Sequence, residues 1–201
     1  MMKIVVIGGQ GTIGSAVASH FKKKHEVITA SRSNGDVQVD MESSESIKNM
    51  FEKIGKVDAI VNCAGATKWG PFAELSEEDF YVGLKGKLMG QVNIVRIGRN
   101  YLNEGGSITL TTGVLADDPV FGATNSAMAN NAIHGFVLAV SQEHLHEFRL
   151  NVVSPELVED SAERLGNAFP GHTPVSMEKV AKGYERSVEG LRTGEIIRVY
   201  D

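Results

Sequence analysis

The chain has 201 residues, 42% of them apolar and 22% charged, which favours a single compact domain over residues 1–201. The formal net charge of −5 argues against nucleic acid and membrane surfaces as partners, because both of these attract basic proteins. The single cysteine, Cys63, excludes an internal disulfide framework and indicates a reducing, cytoplasmic location.

In chain order, short apolar runs alternate with longer segments of helical period. The first run, Lys3–Ile7, is too short for a signal peptide or a membrane span and predicts a strand covered on both faces. Further strands are predicted at Glu26–Ala30, Val37–Val39, Val57–Asn62, Ser107–Thr112, Leu150–Val153 and Glu195–Val199.

Helices are predicted between these strands, from Thr12, around Ile47–Ile54, from about Ser76 to about Asn100, over 122–147 and over Ser176–Glu189. Gly55 should end the second helix, and Ser76 with Asp79 should form a capping box at the start of the third. This alternation predicts an α/β fold, a doubly wound parallel sheet of about seven strands with helices on both faces.

The turn after the first strand reads GGQGTIG, Gly8 to Gly14. Its glycines fit G-x-G-x-x-G from Gly9 or G-x-x-G-x-x-G from Gly8, and either spacing lets backbone amides approach a pyrophosphate. Tight packing alone is the simpler interpretation. Because the turn follows a strand and opens a helix, it favours a Rossmann-type dinucleotide site. The residues assigned to it are Gly8, Gln10, Gly11, Thr12, Ile13 and Gly14.

The second strand ends in ASRS, Ala30 to Ser33. Folds that prefer NAD usually place a carboxylate here for the adenosine ribose. Arg32, between Ser31 and Ser33, suits a 2′-phosphate better, because a guanidinium makes charge-assisted, bidentate hydrogen bonds. We therefore predict NADP as the cofactor, with NAD less favoured. In the simpler interpretation Arg32 is only a solvated side chain.

Three motifs, GGQGTIG, VDAIVNCAGA and NVVSPELVEDS, make the chain similar to the short-chain dehydrogenase/reductase family over nearly its whole length. The resemblance implies that Asp40 lies near the adenine and that the backbone of Val158 meets the nicotinamide carboxamide. Glu156 replaces the glycine of the family, so this loop should bend differently. The further cofactor residues implied are Cys63, Ala64, Gly65, Thr111 and Pro155.

The chemistry of that family relies on a helix asparagine, a strand-end serine and a Y-x-x-x-K pair. All four are changed here. Gly83 stands at the place of the asparagine, and Gly113, or Thr112 with a one-residue shift, at that of the serine. Ser126 stands at the place of the tyrosine and Asn130 at that of the lysine. The pair is absent and not displaced, because residues 102–183 contain no tyrosine and residues 88–178 no lysine. A serine cannot simply replace the tyrosine, since its hydroxyl is a far weaker acid than a phenol, whose pKa is about 10.

Lys87 is the best substitute proton donor, one turn after Gly83 and on the same helix face. The simpler interpretation is an exposed lysine beside Lys85. His134 titrates near neutral pH but is expected to face a neighbour or solvent. The candidate catalytic residues are therefore Thr112, Ser126, Asn130 and Lys87.

Three functions are compatible with this pattern. The favoured one is an NADP(H)-dependent oxidoreductase for a small carbonyl or alcohol substrate, with a non-standard active site. The substrate should be small because the segment from Pro155 to Pro174, which in the resembling family closes over it, is short. The second is a non-catalytic NADP sensor or interaction protein. The third is a lyase, epimerase or isomerase, for which the sequence offers no dedicated acid and base. Trp69 either lines the substrate pocket or packs on a helix.

Small residues recur one turn apart on two predicted helices, as Gly86 with Gly90 and as Ala123 with Ala127. In the resembling family these helices form subunit interfaces, so we expect a homodimer or homotetramer through the helices at 76–100 and 122–147. No metal site is predicted. Cys63 has no companions, and the pair of residues at 144 and 146, both histidines, should point in different directions.

Overall fold

The computed structural model describes residues 1–143 and 147–200, so His144, His146 and Asp201 lie outside the described residues. Seven strands form one sheet: β1 Lys3–Ile7, β2 Glu26–Ser31, β3 Val37–Gln38, β4 Val57–Asn62, β5 Leu102–Thr111, β6 Arg149–Pro155 and β7 Ile196–Val199. Neighbouring strands are parallel, in the order β3-β2-β1-β4-β5-β6-β7. The predicted Rossmann-type sheet is confirmed.

Helices cover both faces of the sheet: α1 Thr12–Phe21, α2 Ser44–Ile54, α3 Glu77–Val82, α4 Gly90–Gly98, α5 Thr124–Glu143, α6 Glu159–Leu165 and α7 Met177–Glu189. Side chains of β1 alternate between the faces, as the pleat requires. Ile4 and Val6 pack with α1 and α7, whereas Val5 and Ile7 pack with α2, α4 and α5. Within the described residues, no helix is both long and apolar enough to cross a membrane.

The strand order reverses between β1 and β4, and this reversal locates the site. Doubly wound folds bind ligands at such a point, beyond the carboxyl ends of the strands. The turns after β1, β2 and β4 meet there. They carry the three predicted cofactor segments, which begin at Gly8, at Ser31 and at Cys63.

Local signals predicted several element ends correctly. The Ser76 hydroxyl accepts a hydrogen bond from the Asp79 amide, and the Asp79 carboxylate accepts one from the Ser76 amide, which is the expected capping box. Gly55 ends α2 with a φ of +75°. The observed strand Val57–Asn62 matches the predicted one at both ends.

The prediction of one long helix from about Ser76 to about Asn100 is wrong. A π-helical segment, Gly83–Met89, separates α3 from α4. Asn125 Nδ2 donates to the Asp79 carbonyl at 2.7 Å, and the Gly83 amide, which would use this carbonyl in an α-helix, bonds to Phe80 instead. The Asn125 side chain therefore interrupts the helical ladder.

Two further differences concern segments that lack strong periodicity. The short helix α6 was not predicted, although Glu159 and Asp160 in its first turn are favourable there. Strand β5 begins at Leu102 and not at Ser107, with an irregular register against β4 between Val57 and Ala59.

Candidate active site

The glycine-rich turn is shaped by close contacts. Gly8 has a φ of +77°, and a Cβ on it would lie 2.8 Å from the Ala64 nitrogen. A Cβ on Gly14 would overlap the Gly8 carbonyl oxygen, so α1 can approach β1 this closely only without a side chain there. Tight packing, the simpler interpretation of the motif, therefore accounts for these two glycines.

The start of α1 remains open to a ligand. Gly11 caps the helix without a side chain, and residues 10–12 are exposed. Because the first helical hydrogen bond runs from the Ser15 amide to the Gly11 carbonyl, the amides of residues 12–14 have no partner in the described chain. A Cβ on Gly11 would meet only the Gly8 carbonyl, at 3.4 Å. The turn thus leaves room for an anion over these amides.

A cavity of about 340 Å³ lies where the strand order reverses. It brings together the predicted cofactor residues Gly8, Ser31, Arg32, Ala64 and Gly65. Its opposite wall is formed by residues 82 and 86, at the end of α3 and on the π-helical segment. Of the remaining predicted adenosine contacts, residues 33 and 40 are exposed beside the cavity and do not line it.

Arg32 is largely exposed to solvent and also lies beside two carboxylates. It is 71% exposed, yet Nη2 lies 3.2 Å from Glu42 Oε1 and Nε lies 3.8 Å from Asp40 Oδ1. The Ser31 hydroxyl accepts a hydrogen bond from the Asn34 amide at 3.0 Å, which shapes the turn after β2. Glu42 could not be predicted as a site residue, because nothing in the local pattern shows that it reaches Arg32.

Two predicted cofactor residues point their side chains into the core. The Thr111 hydroxyl donates to the Asn62 carbonyl at 2.5 Å and hydrogen-bonds the Tyr184 hydroxyl on α7 at 2.7 Å. Burial raises the pKa of Cys63 to about 12 and that of Tyr184 well above its ordinary value. The backbone of Thr111 is occupied as well, because its amide donates to Gln91 Oε1 and its carbonyl accepts from Gln91 Nε2, both at 3.0 Å. The Cys63 amide donates to the Ile7 carbonyl. Thr111 therefore has no free hydrogen-bond donor to offer a cofactor.

The place of the family's helix asparagine is filled from another helix. A Cβ on Gly83 would overlap Asn125 Oδ1, so the side chain of Asn125 lies against the bare glycine backbone. Asn125 is fully buried, and its Oδ1 has no hydrogen-bond partner among the described residues. Sequence reasoning missed this exchange, although Gly83 was one half of the signal.

One face of α5 carries three buried polar side chains at four-residue spacing: Ser126, Asn130 and His134. Ser126 Oγ lies 2.5 Å from the Thr67 hydroxyl, Asn130 Nδ2 donates to the Gly113 carbonyl at 3.4 Å, and His134 Nε2 lies 2.9 Å from the Thr112 hydroxyl. Burial lowers the pKa of His134, which favours the neutral imidazole. The hydroxyls of Thr112 and Ser126 are therefore occupied by protein partners.

Asn130 differs from its neighbours on this face because its amide nitrogen is hydrogen-bonded and its amide oxygen is not. It is 3% exposed, and its Oδ1 has no hydrogen-bond partner among the described residues. A buried acceptor without a partner is costly, so such an atom suits a ligand that can donate to it. A sugar hydroxyl is such a donor.

Lys87 lies where the π-helical segment passes Gly65. A Cβ on Gly65 would lie 2.8 Å from Lys87 Cγ, so the lysine stem covers this glycine. The side chain is partly buried, and within the described chain its ammonium has no carboxylate partner. Burial lowers the pKa of Lys87 to about 8. The simpler interpretation, an exposed lysine like Lys85, is wrong.

The ends of β5 and β6 lie side by side, since a Cβ on Gly113 would be 3.6 Å from the Pro155 carbonyl oxygen. Beyond β6, Val158 forms an isolated parallel bridge with Val175. The bridge uses the amides of residues 159 and 175, so the Val158 amide itself has no partner within the described residues. It remains free to donate to a ligand.

The segment after β6 is held to the rest of the site by aromatic and polar contacts. The rings of Trp69 and Phe169 are 6.0 Å apart, so Trp69 packs against this segment. His172 Nδ1 lies 2.8 Å from Glu156 Oε1, with both side chains nearly buried. Among the described residues no group of three or more metal-ligating side chains could hold a metal ion.

Comparison with known proteins gives consistent relatives. A family model described as Enoyl-(Acyl carrier protein) reductase matches residues 9–182. The crystal structure of the protein lin1944 from Listeria innocua is 46% identical, with a TM-score of 0.97 over 100% of both chains. A small-chain dehydrogenase in complex with NADPH is 26% identical, with a TM-score of 0.86 over 98% of this chain and 95% of that one.

Among curated proteins, the acetoacetyl-CoA reductase of Allochromatium vinosum is 29% identical over 136 residues, which are 66% of this chain and 53% of that protein. The chain thus spans about half of the length of this relative. The matching family model covers most of the chain, and the strand order, the glycine-rich turn and the cavity at the sheet reversal agree with it. The chain belongs to the short-chain dehydrogenase/reductase family.

Proposed function

We propose that the chain is an NADP(H)-dependent oxidoreductase that acts on a small carbonyl or alcohol substrate through a non-standard reaction centre. The name of the reductase relative and the NADPH-bound structural neighbour support this activity. The single cysteine agrees with a reducing, cytoplasmic setting.

The residues present fit a nicotinamide dinucleotide along the whole crevice. The pyrophosphate would lie over the free amides of residues 12–14, and the adenosine end would occupy the cavity beside Arg32. The unpartnered Asn130 Oδ1 can accept a hydrogen bond from the nicotinamide ribose, and the free Val158 amide can donate to the carboxamide. When bound, the nucleotide supplies hydride exchange with the substrate carbon.

Lys87 is the observation that carries the catalytic proposal. It is a partly buried ammonium at the edge of the crevice, without a carboxylate partner in the described chain, and its pKa is lowered to about 8. A pKa near the working pH suits an acid that must release and regain a proton. In reduction, Lys87 Nζ gives its proton to the substrate oxygen, and in oxidation it takes the proton back.

The other polar groups position the substrate. Ser126, at the place of the missing tyrosine, shares a short hydrogen bond with Thr67, and the hydroxyl that accepts in this pair keeps its own proton to orient a substrate oxygen. Trp69 and Phe169 join the loop after β4 to the segment after β6, with their rings 6.0 Å apart. This segment, from Pro155 to Pro174, is short, which favours a small substrate.

The test is NADPH oxidation with a panel of small carbonyl compounds and quinones, beside calorimetric titration of NADP⁺. Lys87→Met should lower kcat/KM by about a hundredfold or more while the dissociation constant of NADP⁺ stays within about threefold. Lys85→Met, an exposed control on the same segment, should change neither. Unchanged turnover in Lys87→Met would show that another group moves the proton.

A non-catalytic NADP-binding protein is the second candidate function. The observation that favours it is that the hydroxyls of Thr112 and Ser126 already bond to protein partners. Of the four candidate catalytic residues, only Lys87 is then left to exchange a proton with a substrate. Binding of NADP⁺ without turnover on any substrate of the panel would support a sensor or interaction protein. Stereospecific hydride transfer would support the enzyme.

Preference for NADP over NAD rests on Arg32, which lies at the end of β2 beside the cavity. Arg32→Ala should weaken NADP⁺ binding by about tenfold or more and leave NAD⁺ binding nearly unchanged, because only NADP carries the 2′-phosphate. Equal loss for both nucleotides would contradict this assignment.

We also propose self-association through two segments of the chain. These are residues 76–100 and the described part, 122–143, of the helix predicted over 122–147. Large apolar side chains on these segments, outside the cofactor cavity, are 39% to 47% exposed: Tyr81, Met89, Met128 and Leu138. Sedimentation analysis should find a dimer or tetramer that Leu138→Glu or Met128→Glu weakens. A monomer at all accessible concentrations would refute this assembly.

A further inference from the structure

Three charged side chains surround the adenosine end of the cavity: Arg32, Asp40 and Glu42. Arg32 faces both carboxylates, at 3.8 Å from Asp40 and 3.2 Å from Glu42. Their formal charges sum to −1, so this rim is not the positive patch that a lone arginine would create. A 2′-phosphate that pairs with Arg32 must therefore displace a carboxylate from its guanidinium.

Glu42 extends across the cavity, whereas Asp40 is held locally. The Glu42 Oε1 that pairs with Arg32 also lies 3.3 Å from the place of a Cβ on Gly86, on the opposite wall. Asp40 Oδ1 accepts a hydrogen bond from the Glu42 amide at 3.1 Å, which fixes it to its own turn. The Glu42 carboxylate therefore lies between the wall that carries Arg32 and the wall that carries Gly86.

From this geometry we infer that Glu42 sets the cofactor preference by competing with the 2′-phosphate for Arg32. The inference rests on the proposed dinucleotide function. The pair is 71% and 46% exposed, and ion pairs of this exposure are weak, so a phosphate can displace the carboxylate. The displaced carboxylate stays on the same rim and repels the phosphate.

The ribose of NAD meets the opposite situation. Its 2′-hydroxyl can donate a hydrogen bond to a carboxylate, which is how dinucleotide folds commonly hold this sugar. Glu42 thus disfavours NADP without disfavouring NAD, and it keeps the preference that Arg32 creates small.

The test is calorimetric titration of NADP⁺ and NAD⁺ into the full chain and into Glu42→Gln. Removing one negative charge near the phosphate should tighten NADP⁺ binding by about three- to tenfold at low salt. NAD⁺ binding should stay within about twofold, because the glutamine Oε1 can still accept a hydrogen bond from the 2′-hydroxyl. Glu45→Gln is the matched control, since it makes the same charge change on α2 outside the cavity lining. High salt should shrink the gain in Glu42→Gln, because ions screen the repulsion.

The outcomes separate this inference from the function on which it rests. If the unchanged chain binds neither nucleotide, the proposed function itself fails. If it binds them, and Glu42→Gln shows the same NADP⁺ to NAD⁺ ratio as Glu45→Gln, the role of Glu42 is overturned. A gain that high salt does not reduce would also overturn it, because electrostatic competition would not be its cause.

Discussion

Replacing Lys87 by methionine should stabilise the folded protein at neutral pH. The ordinary lysine pKa of 10.5 falls to about 8 in the folded chain, because burial disfavours the charged ammonium. This difference, at about 1.4 kcal/mol for each pH unit, means that carrying the charge costs the folded state about 3 kcal/mol. Methionine fills a comparable volume without a charge and so removes the cost.

The gain should depend on pH in a defined direction. Below about pH 8 the lysine is protonated in both the folded and the unfolded chain, and the full cost is present. Between about pH 8 and 10.5 the unfolded chain holds a proton that the folded chain has released, so the stability of the natural protein rises with pH. The advantage of Lys87→Met should shrink over the same interval.

Urea unfolding at about pH 7 and about pH 10 measures both effects through the free energy of unfolding. Lys85→Met is the control, because Lys85 is exposed and only lies 5.4 Å from the Tyr81 ring centre. The free energy of unfolding of Lys85→Met should differ from that of the natural protein by less than about 0.5 kcal/mol. If Lys87→Met were less stable than the natural protein at neutral pH, or kept its advantage at high pH, the buried ammonium would not carry the cost predicted for it.

A charge that lowers stability needs a reason to be retained, and perturbed pKa values concentrate at functional sites. The same Lys87→Met variant is expected to lose turnover. Greater stability together with lost activity is the usual pattern when a strained functional group is replaced. Greater stability with full activity would leave Lys87 as a packing residue.

Gly83→Ala should destabilise the fold by about 1 to 3 kcal/mol in urea unfolding, because its Cβ would overlap Asn125 Oδ1. The double variant with Asn125→Ala should be more stable than the two single changes predict by addition, which a double-mutant cycle checks. Arg149→Met should cost about 2 kcal/mol, since Arg149 donates to three carbonyls at the end of α7; an unchanged melting temperature would contradict this. The Arg198 hydrogen bond lowers the pKa of Asp117 from 3.8 to about 2. Its stabilisation is present above about pH 4 and lost as the pH falls towards 2, so Asp117→Asn should flatten acid unfolding across that interval.

The candidate site divides into a part that the sequence predicted and a part that it did not. The turn from Gly8 to Gly14 could be placed because a strand, a glycine turn and a helix start are adjacent in the chain. The loss of the family's tyrosine and lysine could be established by counting. The replacement of the helix asparagine by Asn125 could not, because it needs two helices that meet only in the folded protein.

The same division holds for the charged residues. The position of Arg32 at the end of β2 is a matter of sequence, whereas its pairing with Glu42 depends on how the chain returns after β3. Lys87 could be placed one turn after Gly83, but its burial arises from the π-helical segment passing over Gly65. Burial then decides whether this lysine is an ordinary cation or an acid with a pKa near 8.

The amino-acid sequence by itself determined the parallel α/β sheet and most element boundaries, such as Val57–Asn62 and the Ser76 cap, because periodicity and capping act within a few residues. The tertiary structure alone decided which side chains meet at the sheet reversal, and which polar atoms there remain unpartnered. Those properties depend on distances between segments far apart in the chain, and the packing of the helices on the sheet sets those distances.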